Sequence, residues 1–514
     1  MRKYHLLLPL LFSANPVLFL YAHNFGQVRL PEILLPLAAS LLFGLLVLLV
    51  SRFFARDWGG AAIAASIFLV VFFSYGHAAD ALFFHRMGEP TAPVDFLLSP
   101  AVCLVTICLA ALIAGQATDP RPVLNAFTVA AVALVATSLI RVVPAELTRK
   151  RPVLPRVAEA DLQVSPDAPA CRGTPPDIYY IIFDRYYGPD ATAAVLDFDN
   201  QEFLDWLRRK GFYVAAKSRT NYPRSFLSLS SSLNMVYLTD LAEQMGRDSA
   251  DETPGYQMLQ DHALQRFLKA RGYRYIHTGS WWDPTRFNRH ADLNLGSSFV
   301  PLSQFSRLFL DTTLARPFLA SLRLVPDSRT RHRETTLYQL DQLRRVPTMP
   351  GPKFVFAHLL LPHQPWVFGP KGQPLTLSQS MGDREGHCRD QFEYANLCAR
   401  ELIGNILAHS PRPPIIILQA DEGMDMTVMG ERAVEVNGVR LTGGERYHFC
   451  ILNAYYLPGM NQRELYPSIS PVNSFRVVLN HYFGTHLAHL PDVSWYFPDV
   501  SRPYDQTDVT QAVR

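Results

Sequence analysis

The chain has 514 residues, 48% of them hydrophobic and 18% charged, with a net charge of +3. No basic block of the kind that neutralises a phosphate backbone is present, so nucleic acid has little support as a partner; 12% aromatic residues argue against disorder. Residues 1–140 hold seven Lys+Arg and six Asp+Glu, about 9% charged against about 21% in the remainder, which describes a membrane segment joined to a water-facing one.

Apolar runs fall at His5–Tyr21, Leu30–Val50, Ala61–Ser74, Phe96–Ala114 and Val123–Ile140, most of them near the roughly 20 residues that span a bilayer. They predict five helices over 1–140. The third run is the shortest, and its alternative reading is a re-entrant or interfacial piece. Arg2 and Lys3 ahead of the first run also suit a signal peptide, but Pro16 and the lack of a small-x-small cleavage site favour a retained helix. Arg2, Lys3, Arg52, Arg56 and Arg121 lie on one side, against Arg29 and Arg86 on the other. This asymmetry sets the N-terminus in the cytoplasm and the C-terminal domain outside a multi-pass cytoplasmic membrane protein. Arg141, Arg149, Lys150, Arg151 and Arg156 argue the other way, with less weight because a long domain follows. No ionisable cluster marks an ion path, so the helices read as an anchor.

Residues 141–175 contain six prolines and read as a stiff linker. Cys171, Cys388, Cys398 and Cys450 follow the membrane runs; disulfides and free thiols are both open, and a Cys388–Cys398 bridge requires that no continuous helix join them. From 176 to 514 the pattern alternates. Asp177–Phe183, Phe354–Leu361 and Ile415–Gln419 are continuous apolar runs, while Asn200–Lys210 has helical spacing with a stop at Gly211. Such strands, separated by helices, predict an α/β/α domain around a largely parallel sheet.

In sheets of this kind sites collect past the carboxyl ends of the strands. That rule selects Asp184 after the first strand, Asp421 and Glu422 after the Ile415 strand, and His363 in LPHQPW. Acids there could also be plain loop residues or N-caps. The segment TNYPRSFLSLSSSLNMVYL places Ser225 at a helix start with Arg224 beside it, a place suited to a nucleophilic hydroxyl and to anion binding, although Ser225 could be a simple N-cap. Trp281 and Trp282 could wall a lipid or sugar, with core packing as the alternative, and Arg286, Arg289 and His290 could meet an anionic headgroup or form an ordinary basic loop. Phe475 and Arg476 read as packing residues.

The series DIYYIIFDRY, FDNQEFLDWLRRKGF, NYPRSFLSLSSSLNMVYL, FVFAHLLLPHQPWVF, IIILQADEG, ILNAYYLPG and SPVNSFRVVLNHYFG resembles sulfatase-like membrane proteins of the alkaline phosphatase superfamily, with the architecture of lipoteichoic acid synthases and phosphoethanolamine transferases. The resemblance covers residues 176 to 500 or so. It implies a divalent cation held by Asp184, Ser225 and Asp421, with Ser225 as nucleophile. One departure stands out: the family's Asp-His-Gly reads Asp421, Glu422, Gly423 here. An all-oxygen site including Glu422 would favour Mn²⁺, Mg²⁺ or Ca²⁺ over Zn²⁺, unless His363 or His448 supplies a nitrogen.

The expected function is that of a membrane-anchored, metal-dependent phosphotransferase or phosphodiesterase acting on a lipid-linked or envelope phosphoryl group. One alternative is a degenerate relative that binds or scaffolds envelope lipids or glycans. A sulfatase is the other, disfavoured because Pro223 and Arg224 precede Ser225 rather than follow it.

Overall fold

The computed structural model describes residues 3–81, 92–116, 120–165, 167–168, 175–296, 302–376, 379, 383–426 and 433–514; Arg2, Arg86 and Cys171 lie outside these. Two compact units emerge. The first comprises residues 1–150 together with 299–327, and the second 151–298 together with 328–514.

The first unit contains α1 (Leu8–His23), α2 (Leu30–Phe54), α3 (Trp58–Ala79), α4 (Ala92–Gln116) and α5 (Arg121–Thr148). Four spans, His5–His23, α2, α3 and α5, are long and apolar enough to cross a membrane, and α4 contributes the shorter apolar stretch Leu98–Ala110. The third run, the shortest in sequence, is thus a helix of 22 residues. α5 continues past the expected end at Ile140 and carries Pro144 inside it. The C-terminal ends of α1 and α5 are tied by polar contacts. Tyr21 donates its hydroxyl to Glu146, and Arg149 donates to the carbonyl oxygen of Phe25 at 2.6 Å with its guanidinium 3.8 Å from that ring.

Residues 302–327 return to these helices from between the two stretches of the second unit. Phe305 and Phe309 are buried in the helical core with Leu20, Tyr21, Val28, Ile33 and Phe73. Thr312 O accepts from Gly76 N–H at 2.9 Å, and Leu314 N–H donates to Phe72 O at 2.8 Å. Gly76 is required by this approach, since a Cβ there would lie 2.2 Å from Asp311 O. Arg316 pairs with Asp80 at 2.8 Å.

The second unit is an α/β domain whose seven-stranded sheet has the order β2-β9-β6-β1-β5-β3-β4. These strands are β1 (Ile178–Phe183), β2 (Tyr213–Val214), β3 (Arg274–Thr278), β4 (Leu293–Leu295), β5 (Lys353–Leu359), β6 (Ile415–Gln419) and β9 (Asn453–Tyr456); a separate hairpin supplies β7 (Val434–Val436) and β8 (Val439–Leu441). Pairings β1–β5, β1–β6, β3–β5 and β3–β4 are parallel, while β9 runs antiparallel to β6 and β2. Every residue of β1, β5 and β6 is buried, as expected when both faces are covered. Tyr180, Ile182, Phe354, Phe356, Ile415 and Ile417 belong to one core layer, and Tyr179, Ile181, Phe183, Val355, Ala357, Ile416 and Leu418 to the other, the period-2 alternation of a pleat.

The linker is laid down on this domain rather than free of it. Val157 is buried in the first of these layers and its N–H donates to Asn234 O at 3.0 Å. Cys388 and Cys398 sit on one continuous helix, Arg384–His409, and are free thiols, as is Cys450. Phe475 is buried in the core, and Arg476 donates to the carbonyl oxygen of Met235 at 2.6 Å, the packing role expected of both.

At the opposite end of the sheet from the strand tips, Lys353 is fully buried. Its Nζ is 2.6 Å from Asp177 Oδ2 and donates to Met349 O at 3.0 Å. Replacing one member of a buried pair strands the other charge, a loss of about 3 kcal/mol. Lys353→Met should therefore lower the thermal midpoint of the purified chain by several degrees, with Lys353→Met/Asp177→Asn recovering most of it. A single variant melting with the wild type would refute the pairing as a source of stability.

Candidate active site

The pleat that sorts apolar side chains into two layers also sorts the polar ones. In β1 the series Ile178, Tyr180, Ile182 continues to Asp184; in β5, Phe354, Phe356 continues to His358; in β6, Ile415, Ile417, Gln419 continues to Asp421. With Ile182 paired to both His358 and Gln419 in register, the three polar residues emerge side by side on one face. Asp184, His358 and Asp421 are buried and offer ligand atoms within 4.8 Å of one another. His358 Nε2 is 3.3 Å from Asp184 Oδ2 and 3.9 Å from Asp421 Oδ2.

His358 is the residue that sequence reasoning missed. The apolar character of FVFAHLLL masks it, and the sequence signal for it is its parity with Phe354 and Phe356.

The helix covering this face starts at Ser225 and runs to Asn234, the start expected from sequence. Ser225 is half-buried, and its hydroxyl reaches Glu422 Oε1 at 3.5 Å. Ser228, one turn on, instead donates to Asp421 O at 2.7 Å, as does Thr220 at 2.6 Å. These two hydroxyls hold the main chain that carries Asp421. Gly423 follows where a Cβ would stand 2.9 Å from His448 O, the close approach that brings His448 Nε2 to 3.4 Å from Glu422 Oε2.

Arg224, expected to face the anion, pairs with Glu252 at 3.0 Å. The cation beside the carboxylates is Arg185, with Nε 3.5 Å from Glu422 Oε1 and its backbone N–H donating to Asp421 Oδ1 at 3.4 Å. Arg185 adopts φ 62°, a left-handed conformation that disfavours a non-glycine residue by about 1 kcal/mol and is found where local structure is held for a purpose. His363 is half-buried and lowers the Asp184 pKa through its charge. The tryptophans lie along the same edge. Trp282 stacks edge-on with His358 at 5.8 Å, and Trp281 donates from Nε1 to His332 Nδ1 at 2.8 Å with its ring 6.2 Å from that of His363.

Burial opposes charge on all three acids, and the surroundings divide them. Asp184 is nonetheless held down to about 2 by His363, His358 and Arg185. Glu422 is lowered by His448 and Arg185 against its burial. Asp421 is pushed well above the usual carboxylate range by burial, then by the charges of Asp184 and Glu422. Among the described residues Asp184 Oδ1, His358 Nε2, Asp421 Oδ2 and Glu422 Oε2 have no hydrogen-bond partner, and neither do Arg185 Nε and His448 Nε2 beside Glu422. Buried acceptors left this way require an explanation, and a cation would satisfy those of Asp184, His358 and Asp421 together. His358 Nδ1 lies 2.9 Å from Thr285 Oγ1, so a proton on Nδ1 donated to Thr285 leaves the Nε2 lone pair turned to the carboxylates, the arrangement common to metal-ligating histidines.

No family model and no curated protein sequence matches the chain. Among solved structures it is similar to the C-terminal periplasmic domain of EptC from Escherichia coli in complex with Zn, at 12% identity and TM-score 0.41, over 62% of this chain and 89% of that one. It is also similar to the corresponding domain of phosphoethanolamine transferase EptC from Campylobacter jejuni (10%, TM-score 0.38, 60% and 89%) and to the lipoteichoic acid synthase LtaP from Listeria monocytogenes (13%, TM-score 0.36, 63% and 76%). These are the kinds of protein that the sequence resembles.

A carboxyl whose pKa is higher in the folded chain than in the unfolded one holds its proton more tightly when folded, so the folded chain loses stability as pH rises past the ordinary value. For Asp421 that value is 3.8. In chelator-treated protein, Asp421→Asn should therefore melt higher than the wild type at neutral pH, with the difference shrinking on acidification toward pH 4 or so. A variant less stable than the wild type across this range would refute the charge assignment.

Proposed function

We propose that the chain is a membrane-anchored, divalent-cation-dependent enzyme that transfers or hydrolyses the phosphoryl group of a lipid-linked or cell-envelope substrate, with Ser225 as its nucleophile. The observation that carries this reading is the convergence of Asp184, His358 and Asp421, with unpartnered atoms, beside a half-buried serine at a helix start. Asp184, His358 and Asp421 would hold the cation. Two carboxylates and one imidazole suit Mn²⁺ or Zn²⁺ better than the all-oxygen site that favours Ca²⁺. Bound there, it would supply Lewis-acid charge to the phosphoryl oxygens and to the serine hydroxyl.

The chain's own groups account for the rest. Ser225 Oγ forms a bond to phosphorus while the ester P–O bond breaks. Its proton passes to Glu422, the carboxylate within reach at 3.5 Å, and from there to the leaving oxygen. Water or an alcohol then releases the phosphoryl group from Ser225 by the reverse proton path. Glu422 is kept anionic for this by Arg185 and His448, which gives the departure from the family's histidine a role as proton acceptor rather than ligand. Free N–H groups at the helix start and the Arg185 guanidinium would face the phosphoryl oxygens. Trp281 and Trp282 would border the leaving group.

Ser225→Ala should lose turnover of a phosphodiester by about 10³-fold or more while keeping the thermal shift produced by Mn²⁺ or Zn²⁺. Ser225→Thr should retain measurable activity and accumulate a phosphorylated residue detectable by mass spectrometry. His358→Ala should abolish the cation-induced shift. Wild-type turnover in Ser225→Ala would end the enzyme reading of this pocket; absence of any cation shift in the intact protein would favour a scaffold that binds envelope lipids or glycans.

A further inference from the structure

The segment 302–327 is more than a loop between β4 and the helix Ser328–Arg345. It engages both groups of one helical rung of α3, Phe72 O and Gly76 N–H, seven and three residues short of the helix end at Ala79. At 1.5 Å per residue the deeper contact lies about 10 Å below that end. Leu314 is buried in one cluster with Tyr75 and Ala79 of α3, against which pack Val102 and Cys103, residues of the apolar stretch Leu98–Ala110 of α4. Its two helices, Gln304–Asp311 and Arg316–Ser321, therefore sit at a level where the neighbouring helices are apolar. The faces they turn away from that core are apolar as well. Leu308 is 41% exposed, Phe318 39%, Leu322 68% and Leu324 47%, in the same unit as the exposed Leu35, Leu42, Leu104 and Val129 of the spans.

We propose that residues 302–327 form a helical hairpin inserted into the outer leaflet of the bilayer, a second membrane attachment supplied from inside the outer domain's sequence. Its occupant is lipid. Phe305, Phe309 and Leu314 dock the hairpin on the spans, and Phe318, Leu322 and Leu324 project into the acyl region. Arg316, paired with Asp80, stays at the headgroup level where α3 ends. Depth beside α3, an outward apolar face and continuity with the exposed belt of the spans are the features of an element that lies in the membrane interface. The hairpin belongs to the side of the membrane that holds the domain, so its contact with the C-terminal end of α3 puts that end on the domain's side too, which agrees with the charge asymmetry of the short loops. The proposal rests on the membrane reading of α1–α5.

The test uses the full-length chain reconstituted into nanodiscs of phosphatidylethanolamine and phosphatidylglycerol, with p-benzoyl-phenylalanine in place of Leu322 or Phe318, and in place of Val129 as a reference in α5. After irradiation, lipid adducts should form at positions 322 and 318 in yields comparable with position 129, by mass spectrometry of the peptides. Gly76→Leu should collide with Asp311 O and cut the adduct at 322 while leaving the one at 129 and the cation-induced thermal shift intact. Lipid adducts at 129 with none at 322 and 318 would overturn the hairpin alone. Cross-links at 322 to a second copy of the chain would replace lipid by a dimer contact and overturn it as well. Absence of adducts at 129 would overturn the membrane reading beneath it.

Discussion

In a pleated strand every second side chain is delivered to the same face, and three strands in register convert that rule into a site. β5, β1 and β6 lie next to one another, all parallel, so their tips end together and their parities match. An acid two residues beyond Ile182, a histidine two beyond Phe356 and an acid two beyond Gln419 are then neighbours without any loop having to bring them together. The rigidity of the centre is that of the sheet core, where each of these strands is buried along its whole length. Sites built on strands in this way hold geometry more closely than sites built on loops.

The same arrangement concentrates negative charge where water cannot disperse it, and the surrounding residues divide that charge unequally. Arg185 reaches its place only by adopting a left-handed backbone immediately after Asp184, which turns the chain so that its N–H meets Asp421 and its guanidinium meets Glu422. Glu422 faces the Arg185 guanidinium and the His448 ring, whereas Asp184 and Asp421 converge on His358. Two kinds of carboxylate result from one short run of sequence. Such a separation of environments is what allows neighbouring acids to take different parts in a reaction.

Much of this was legible in the sequence, and the limits are physical. The strands at Ile178 and Ile415 and the helix start at Ser225 were readable because continuous apolar runs and a Pro-Arg-Ser start are local signals. The acids at the strand ends followed from them. The parity of Phe354 and Phe356 assigns His358 to their face, but its place beside Asp184 and Asp421 depends on strand register, which no single strand encodes. Arg224 was assigned by adjacency, yet its side chain is taken by Glu252, 28 residues on, a partner set by tertiary packing. Glycine at 76 was equally silent: in a helix it looks like a weakness, and the close approach of Asp311 that requires it comes from far along the chain.

That distance has a consequence for how the protein is made. Asp80 and Arg316 are 236 residues apart, so α3 leaves the ribosome long before the segment that completes its packing exists. Through that interval Phe73, Tyr75 and Gly76 lack their eventual neighbours, and the first 150 residues are an unfinished fold. The ordering of synthesis also fixes what can be separated. The chain passes between its two units three times, near residues 150, 298 and 327, so a single proteolytic cut in the proline-rich linker leaves two covalent connections standing. A water-facing domain released in one piece is not among the products this topology allows.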